Sequence, residues 1–288
     1  MRSAALSASR ARIAIHLAFV RRRLPAWESA ARGDHVRRRF VLVLALCVSP
    51  LSAQSPSPMS NALSAAERAA GWRLLFDGAT LNGWRGLGYD TVPTTHWNVI
   101  GGAIHKVATS NVAKMPDGQP ANGGDLMTVD TFGDFELSFE WKVMPGSNSG
   151  VKYNVSEEYS LANASNHAAL GFEYQVLDDS LNDDNKVATH RAGALYDLIA
   201  PNSAKRLMPV GQWNTSRIVL RGQHGEHWLN GAKIVEFDLG TTRMDSALAK
   251  SKFSVLKGFA DRRRGHIVLQ DHGDEAYYRD IKIREITP

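Results

Sequence analysis

The sequence predicts an all-β sandwich in one domain, opened by one short helix and preceded by a targeting segment. Three observations predict it. From Trp72 onward, short runs rich in aromatic and β-branched residues alternate with Gly, Asn, Asp and Pro turns, roughly every dozen residues. The dipeptide Asn230-Gly231, between His227-Trp228-Leu229 and Ala232-Lys233-Ile234, is the strongest hairpin signal in the chain. No long amphipathic helix and no internal repeat interrupts the pattern.

At the front, Arg37 to Arg39 precede an apolar run from Phe40 to Val48, followed by Pro50 and Leu51-Ser52-Ala53. A positive patch, a short apolar stretch and a small-residue exit are the marks of a secretory signal. The run is too short to cross a bilayer, which needs about 20 apolar residues. Residues 1–53 are therefore expected to be a targeting segment cleaved near Ala53, and the protein to be periplasmic or extracellular. A start codon placed too early would explain residues 1–35, with translation beginning near Val36. Cys47 sits in a loose lipoprotein-like box, but Leu46 stands where a small residue is needed, so a lipid anchor is disfavoured. Residues 54–63 read as a linker, rich in Pro and Ser as far as Ser60.

The domain then runs from 64 to 288. Ser64-Ala-Ala-Glu67 is a capping box opening a short helix that Gly71 closes. Strands are expected at Trp97–Ile100, Phe135–Val143, Gly150–Asn154, Gly171–Val176, Ser216–Arg221, Gly225–Leu229, Lys233–Phe237, His266–Gln270 and Arg279–Ile286. In the second of these, Phe135, Leu137, Phe139, Trp141 and Val143 alternate with Glu136, Ser138, Glu140 and Lys142, which defines a core face and a wet face. Glu173 and Gln175 share a face, with Phe172, Tyr174 and Val176 opposite. Gln270 and His272 share another, with Ile267 and Leu269 opposite. Amides, carboxylates and imidazole thus recur where a plain solvated sheet would show Lys and Thr.

Composition narrows the function. Of the 288 residues, 43% are hydrophobic and 22% charged, with a single cysteine, which leaves no disulfide framework. The pI of 9.3 misleads. Residues 1–53 hold ten arginines against two acids, and the 235 residues that follow carry 24 basic and 27 acidic side chains. The folded part is mildly acidic, so nucleic acid is not the expected partner. No Gly-rich loop leads a strand into a helix, and no Gly-x-Ser-x-Gly elbow is present, which disfavours nucleotide cofactors and serine hydrolysis.

An ordered set of strings then becomes recognisable. Gly71-Trp-Arg-Leu-Leu-Phe-Asp-Gly78 is followed by Thr80-Leu-Asn-Gly-Trp84, Asn148-Ser-Gly150, Gly171-Phe-Glu-Tyr-Gln-Val-Leu-Asp178 and Gly193-Ala-Leu-Tyr196. Trp213-Asn214, His227-Trp-Leu-Asn-Gly231, Gly265-His-Ile-Val-Leu-Gln-Asp-His-Gly273 and Arg279-Asp-Ile-Lys-Ile283 complete it. From about Gly71 to Ile286 the chain resembles the 3-keto-disaccharide hydrolase domain family. That resemblance implies a concanavalin-like β-jelly roll, export, and cleavage of glycosides oxidised to a ketone at sugar carbon 3. Asp280 departs from the family, which more often shows Asn there.

An ordinary glycosidase needs two carboxyls at fixed spacing. A related jelly-roll class carries Glu-x-Asp-x-x-Glu, where this chain has Glu173-x-Gln175-x-x-Asp178, with an amide in the middle. A 3-keto sugar offers another route: a base removes the acidified hydrogen on carbon 2, and the aglycone leaves by elimination. On that reading His272 and Glu173 are the proton-transfer candidates, with a loop histidine bonded to Asp271 or Asp274, and an ion-paired glutamate, as the plainer alternatives. Gln175 and Gln270 would bond sugar hydroxyls. Arg279 would polarise the ketone or, equally, pin the last strand by a salt bridge. Tyr196 and Asn148 are rim contacts, and Asp178 would orient another side chain. Trp84, Trp97, Trp213 and Trp228 are sugar-stacking candidates, though core positions suit them better. The sequence establishes no cofactor. A divalent cation held by His190, Glu173, Asp178 and His272 stays open, and the Asp183-Asp184 pair reads as a solvated loop. The expected partner is a carbohydrate, with a separate sugar 3-dehydrogenase upstream. A non-catalytic, lectin-like module and an ordinary jelly-roll glycosidase are the rival readings.

Overall fold

The computed structural model describes residues 60–112, 123–165, 167–261 and 263–286. The expected targeting segment, the cleavage site near Ala53 and Cys47 lie outside the described residues. Helix α1 (Ala65–Ala69) opens as the sequence predicts: the Ser64 hydroxyl accepts from the Glu67 N–H, and Glu67 Oε2 accepts from the Ser64 N–H at 2.8 Å. Gly71, at φ +81°, turns the chain out of it.

Strands β1 (Arg73–Leu74), β2 (Trp84–Gly86), β3 (Trp97–Ile100) and β4 (Ala103–Lys106) come next. They are followed by β5 (Leu126–Thr128), β6 (Phe135–Val143) and β7 (Asn148–Val155). Helix α2 (Glu157–Asn163) separates β7 from β8 (Phe172–Leu177). Then come β9 (Asn214–Arg221), β10 (His224–Leu229), β11 (Ala232–Asp238), helix α3 (Thr242–Lys250), β12 (His266–Leu269) and β13 (Ala276–Glu285).

They form two antiparallel sheets. One has the order β11-β10-β9-β6-β13-β4-β3, with β1 added against β13; the other has the order β2-β5-β12-β7-β8. This is the all-β jelly-roll sandwich expected. The expectation of one helix needs correcting, since α2 and α3 are also present. Both are capped, by Ser156 accepting from the Tyr159 N–H and by Thr241 accepting from the Met244 N–H. Each buries only one residue, Ser160 or Met244, so neither leaves a long apolar stripe in the sequence.

Alternation decides the core. Phe135, Leu137, Phe139, Trp141 and Val143 of β6 all join it, as do Phe172, Tyr174 and Val176 of β8 and Ile267 and Leu269 of β12. The β10–β11 hairpin turns on Asn230 and Gly231, both at positive φ (47° and 85°), as a twist-matched two-residue turn requires. Asp280, at φ +53°, interrupts the β13–β6 register, and its Oδ1 accepts from the Asn61 N–H at 2.7 Å. Asp, like Asn, tolerates that left-handed conformation because its short polar side chain can hydrogen-bond locally.

His227 sits fully buried in this core. Its Nδ1 lies 3.1 Å from the Gly193 carbonyl oxygen and its Nε2 2.8 Å from the Tyr153 hydroxyl. A neutral ring with hydrogen on Nδ1 donates to the first and accepts from the second. Burial pushes its pKa down to about 4, against weaker support from backbone hydrogen bonds. The unfolded imidazole takes up a proton near pH 6.5, whereas the folded one refuses it until about pH 4. Stability is therefore expected to fall as pH drops through that window, by about 3 kcal/mol from this group. Denaturant unfolding at pH 7, 5.5 and 4.5 measures it; a flat profile contradicts the assignment.

Candidate functional site

The outer face of the five-stranded sheet is not a solvated surface. Every residue of β7 and β8 is buried, yet Asn148, Lys152, Glu173 and Gln175 among them face outward. Register explains which of them meet. Lys152 pairs across from Glu173, and Gly150 from Gln175; on the other side of β7, the Gln270 N–H donates to the Gly150 carbonyl at 2.9 Å. Glu173, Gln175, Asn148, Gly150, Lys152 and Gln270 therefore share one face, while Ser149, Val151 and Tyr153 point into the sandwich.

Gly150 is there for space. A Cβ at this position would stand 2.2 Å from Glu173 Oε1, so the glutamate side chain lies directly over the strand where no side chain intervenes. Next to it, the Gln175 amide is 3.1 Å from both Glu173 Oε1 and Asn148 Oδ1. Turning the amide so that its nitrogen faces the carboxylate gives Glu173 a donor, also reaching the Ser149 carbonyl at 3.2 Å.

The Glu173 carboxyl is held above the ordinary carboxylate range. Burial is the largest cause, opposed by the positive charges of Lys152 and Lys252; Asp125 adds to the rise, and His272 opposes it more weakly. Lys152 in turn stays an ammonium. Burial alone would lower its pKa, but Asp125 and Glu173 outweigh burial and raise it. Its Nζ is 3.0 Å from Asp125 Oδ2 and 3.0 Å from the Ala169 carbonyl. Asp125 also accepts from the Ala169 N–H and the Asp271 N–H, each at 2.8 Å. A buried, hydrogen-bonded ion pair therefore lies beside the raised glutamate.

His272 is exposed, three residues beyond the end of β12, and lies within electrostatic reach of Glu173. The plainer reading, a loop histidine tied to Asp271 or Asp274, is not what the structure shows. Asp271 turns inward to Lys106 Nζ and His96 Nδ1, each at 2.9 Å, and is held below the ordinary range because these partners outweigh burial. Asp274 accepts from the Asn148 N–H at 3.0 Å. Gln270 Oε1 is buried and has no donor among the described residues.

A second wall comes from residues 184–197. Asp184 Oδ2 receives the Tyr196 hydroxyl at 3.4 Å and lies 3.4 Å from the Asn148 side-chain amide, and Asp184 Oδ1 is 3.0 Å from His190 Nδ1. His190 Nε2 is 3.0 Å from Asp197 Oδ1, and the His190 ring stacks on Tyr196 at 4.5 Å. The Tyr196 N–H bonds the Glu173 carbonyl at 3.0 Å. Burial first, then Asp184 and Glu173, raise the Tyr196 phenol, so it remains a donor. Asp183 is a solvated surface residue paired with Lys186, as the sequence suggests, but Asp184 is not: it organises this wall.

Several candidates fall elsewhere. Arg279 does not face this site. It lies on the outer face of the eight-stranded sheet, opposite Glu140, with its Nε 2.7 Å from Glu140 Oε2 and its guanidinium 4.1 Å above Trp213. It pins the last strand, the alternative reading, and polarises nothing here. Asp178 is at the end of β8, where its carboxylate accepts from Gly146 N–H at 2.7 Å and Ser180 N–H at 2.8 Å. Those bonds outweigh burial and hold it below the ordinary range, so it fastens two loops. Trp84 and Trp97 are core residues whose Nε1 atoms bond the Leu75 and Gly124 carbonyls. Trp213 and Trp228 sit under Arg279 and Arg217 on the other sheet. A cavity of about 200 Å³ lined by Trp141, Leu177, Asp178, Met208 and Asn214 lies beside the core and has no free acid–base pair.

Glu173, Asp178, His190 and His272 do not converge their ligand atoms. Among the described residues the group that does is His224, Glu226 and Glu236, on the eight-stranded sheet, where Lys233 Nζ already bonds both glutamates at 3.1 and 2.7 Å. Sequence reasoning missed Lys152, Asp125, Asp184 and Lys252. The signal available for Lys152 is a lone charge between Val151 and Tyr153 in a strand that otherwise carries none.

Residues 71–284 match the family model described as the 3-keto-alpha-glucoside-1,2-lyase-like domain. A 3-keto-disaccharide hydrolase of Bacteroides thetaiotaomicron is 35% identical over 236 residues, which is 75% of this chain and 79% of the relative. A provisionally assigned glycosyl hydrolase from Parabacteroides distasonis is 27% identical, with a TM-score of 0.65, covering 79% of this chain and all of that one. A second from the same organism is 25% identical, with a TM-score of 0.56, covering 75% of this chain and 99% of that one. The chain therefore belongs to the 3-keto-alpha-glucoside-1,2-lyase-like domain family and is a carbohydrate-active, glycoside-cleaving enzyme on a jelly-roll sandwich.

Proposed function

We propose that the protein is exported and cleaves 3-keto-glycosides by general acid–base chemistry on the outer face of the five-stranded sheet. The observation that carries this is the buried Glu173 carboxyl, raised above its ordinary range and within electrostatic reach of the His272 imidazole. A carboxylate tuned toward neutrality suits proton removal from a carbon acid. Glu173 takes the hydrogen on carbon 2, and His272 delivers a proton to the departing glycosidic oxygen. Gln270 Oε1 accepts from a sugar hydroxyl, and Asn148, Gln175 and Tyr196 orient the ring. The oxocarbenium route is the weaker reading, because position 175 is an amide and Asp178 is spent on loop N–H groups.

Export is supported by the Arg37–Arg39 patch and the apolar run from Phe40 to Val48. Among the described residues no helix is long and apolar enough to cross a membrane. The ketone must be installed beforehand, which calls for a separate sugar 3-dehydrogenase. The test is a side-by-side assay of a chromogenic 3-keto-glucoside and its unoxidised parent. Aglycone release is expected from the keto substrate only, falling about 10²- to 10⁴-fold in His272→Ala. Equal cleavage of the parent glucoside points to an ordinary glycosidase, and binding without release to a lectin.

A further inference from the structure

Loss of the carbon-2 proton leaves negative charge on the carbon-3 oxygen, and some group must receive it. Arg279 faces the wrong way. Lys152 and Lys106 are buried and committed, to Asp125 and Ala169 in one case and to Asp271 and Val107 in the other. Lys205 pairs with Asp179.

Lys252 differs. Its Nζ stands 4.2 Å above the Tyr196 ring and 5.3 Å from the Phe253 ring, and it makes no carboxylate ion pair among the described residues. His190 stacks on the same Tyr196 ring, with centroids 4.5 Å apart. The backbone is pinned as well. The Lys252 N–H donates to Asp197 Oδ2 at 2.7 Å, Ser251 Oγ caps the turn by accepting from the Phe253 N–H at 3.1 Å, and Phe253 stacks on Phe259 at 4.1 Å. Tyr196 in turn is bonded to the Glu173 strand. A desolvating aromatic face therefore holds an exposed ammonium at the edge of the glutamate site.

We propose that Lys252 is a catalytic residue whose ammonium binds the substrate's carbon-3 oxygen and stabilises the enolate. This rests on the 3-keto-glycoside reading of the same site. In the first step the base takes the carbon-2 hydrogen as a proton, the C–H pair forms the C2=C3 bond, and the carbonyl π pair moves onto oxygen beside Lys252. Collapse of the enolate restores C3=O, forms C1=C2 and expels the aglycone oxygen, which takes a proton from the general acid. Water then adds across C1=C2, hydroxyl to carbon 1 and proton to carbon 2. A preorganised charge at the developing oxyanion changes kcat more than KM.

The test compares Lys252→Met and Lys252→Arg with wild type over a full pH profile on the chromogenic 3-keto-glucoside, with melting temperatures alongside. On the high-pH plateau the methionine variant is expected to lose about 100- to 1,000-fold in kcat with KM and melting temperature little changed, and the arginine variant to recover much of the loss. A methionine variant with wild-type plateau kcat and only a displaced acid limb overturns the proposal, since Lys252 then merely tunes Glu173. A folded arginine variant as slow as the methionine one also overturns it, because the loss is then not one of charge. Failure of the wild-type enzyme to release the aglycone from the keto substrate overturns the parent reading instead, and is seen before any variant is compared.

Discussion

Replacing Glu173 by glutamine is expected to lower kcat about 10³-fold while leaving the melting temperature at neutral pH unchanged or higher. The two effects have one cause. The carboxyl is buried over Gly150, and burial raises its pKa more than Lys152 and Lys252 lower it. A raised folded-state value means that the protonated form stabilises the fold below the unfolded pKa, and that this stability is lost as pH rises through the folded one. Once ionised, the carboxylate is held buried on the outer face of the five-stranded sheet at a cost that a neutral amide of the same shape does not carry. The same shift places the acid limb of kcat/KM above the ordinary carboxylate range of about 4.3. Steady-state kinetics and calorimetry on one preparation check all three. Retained activity, or a melting temperature several degrees lower, removes Glu173 from the centre of the site.

Lys152→Met should be the most destabilising single change near the site. Its ammonium is the buried partner of Asp125, which is itself bonded to Ala169 and Asp271 and is 1% exposed. Removing one member of a buried pair strands the other and costs about 3–5 kcal/mol. Denaturant unfolding measures the loss, and adding Asp125→Asn should return a large part of it, since both charges are then gone. Any residual activity should show an acid limb displaced to higher pH, because the first positive charge opposing burial at Glu173 has been taken away. A cost below about 1 kcal/mol would mean that water reaches the pair and that the face is not closed.

Much of the fold is legible because alternation and turn chemistry are local. Strands Trp97–Ile100 and Phe135–Val143 coincide with β3 and β6, the Asn230-Gly231 turn closes β10 onto β11, and the Ser64–Glu67 box caps α1. The shared face of Glu173 and Gln175 is likewise a property of one strand. What alternation cannot supply is the neighbour across the sheet. Arg279 alternates correctly onto a wet face, but β13 lies in the eight-stranded sheet, so its wet face is the far one. Asp125 and Lys152 are 27 residues apart, and Asp184 and Asn148 are 36 apart; only strand order and loop path bring them together. Lys252 follows a surface helix with little buried area, where the sequence carries no periodic signal to notice.

The central claim is that a base on this face removes the carbon-2 proton of a 3-keto sugar before the glycosidic bond breaks. Cleavage in D₂O tests it most directly, with the product analysed by NMR or mass spectrometry against an enzyme-free control. The account predicts one deuterium at carbon 2 of every released keto sugar, well above the control. Release with protium retained at carbon 2 would contradict it.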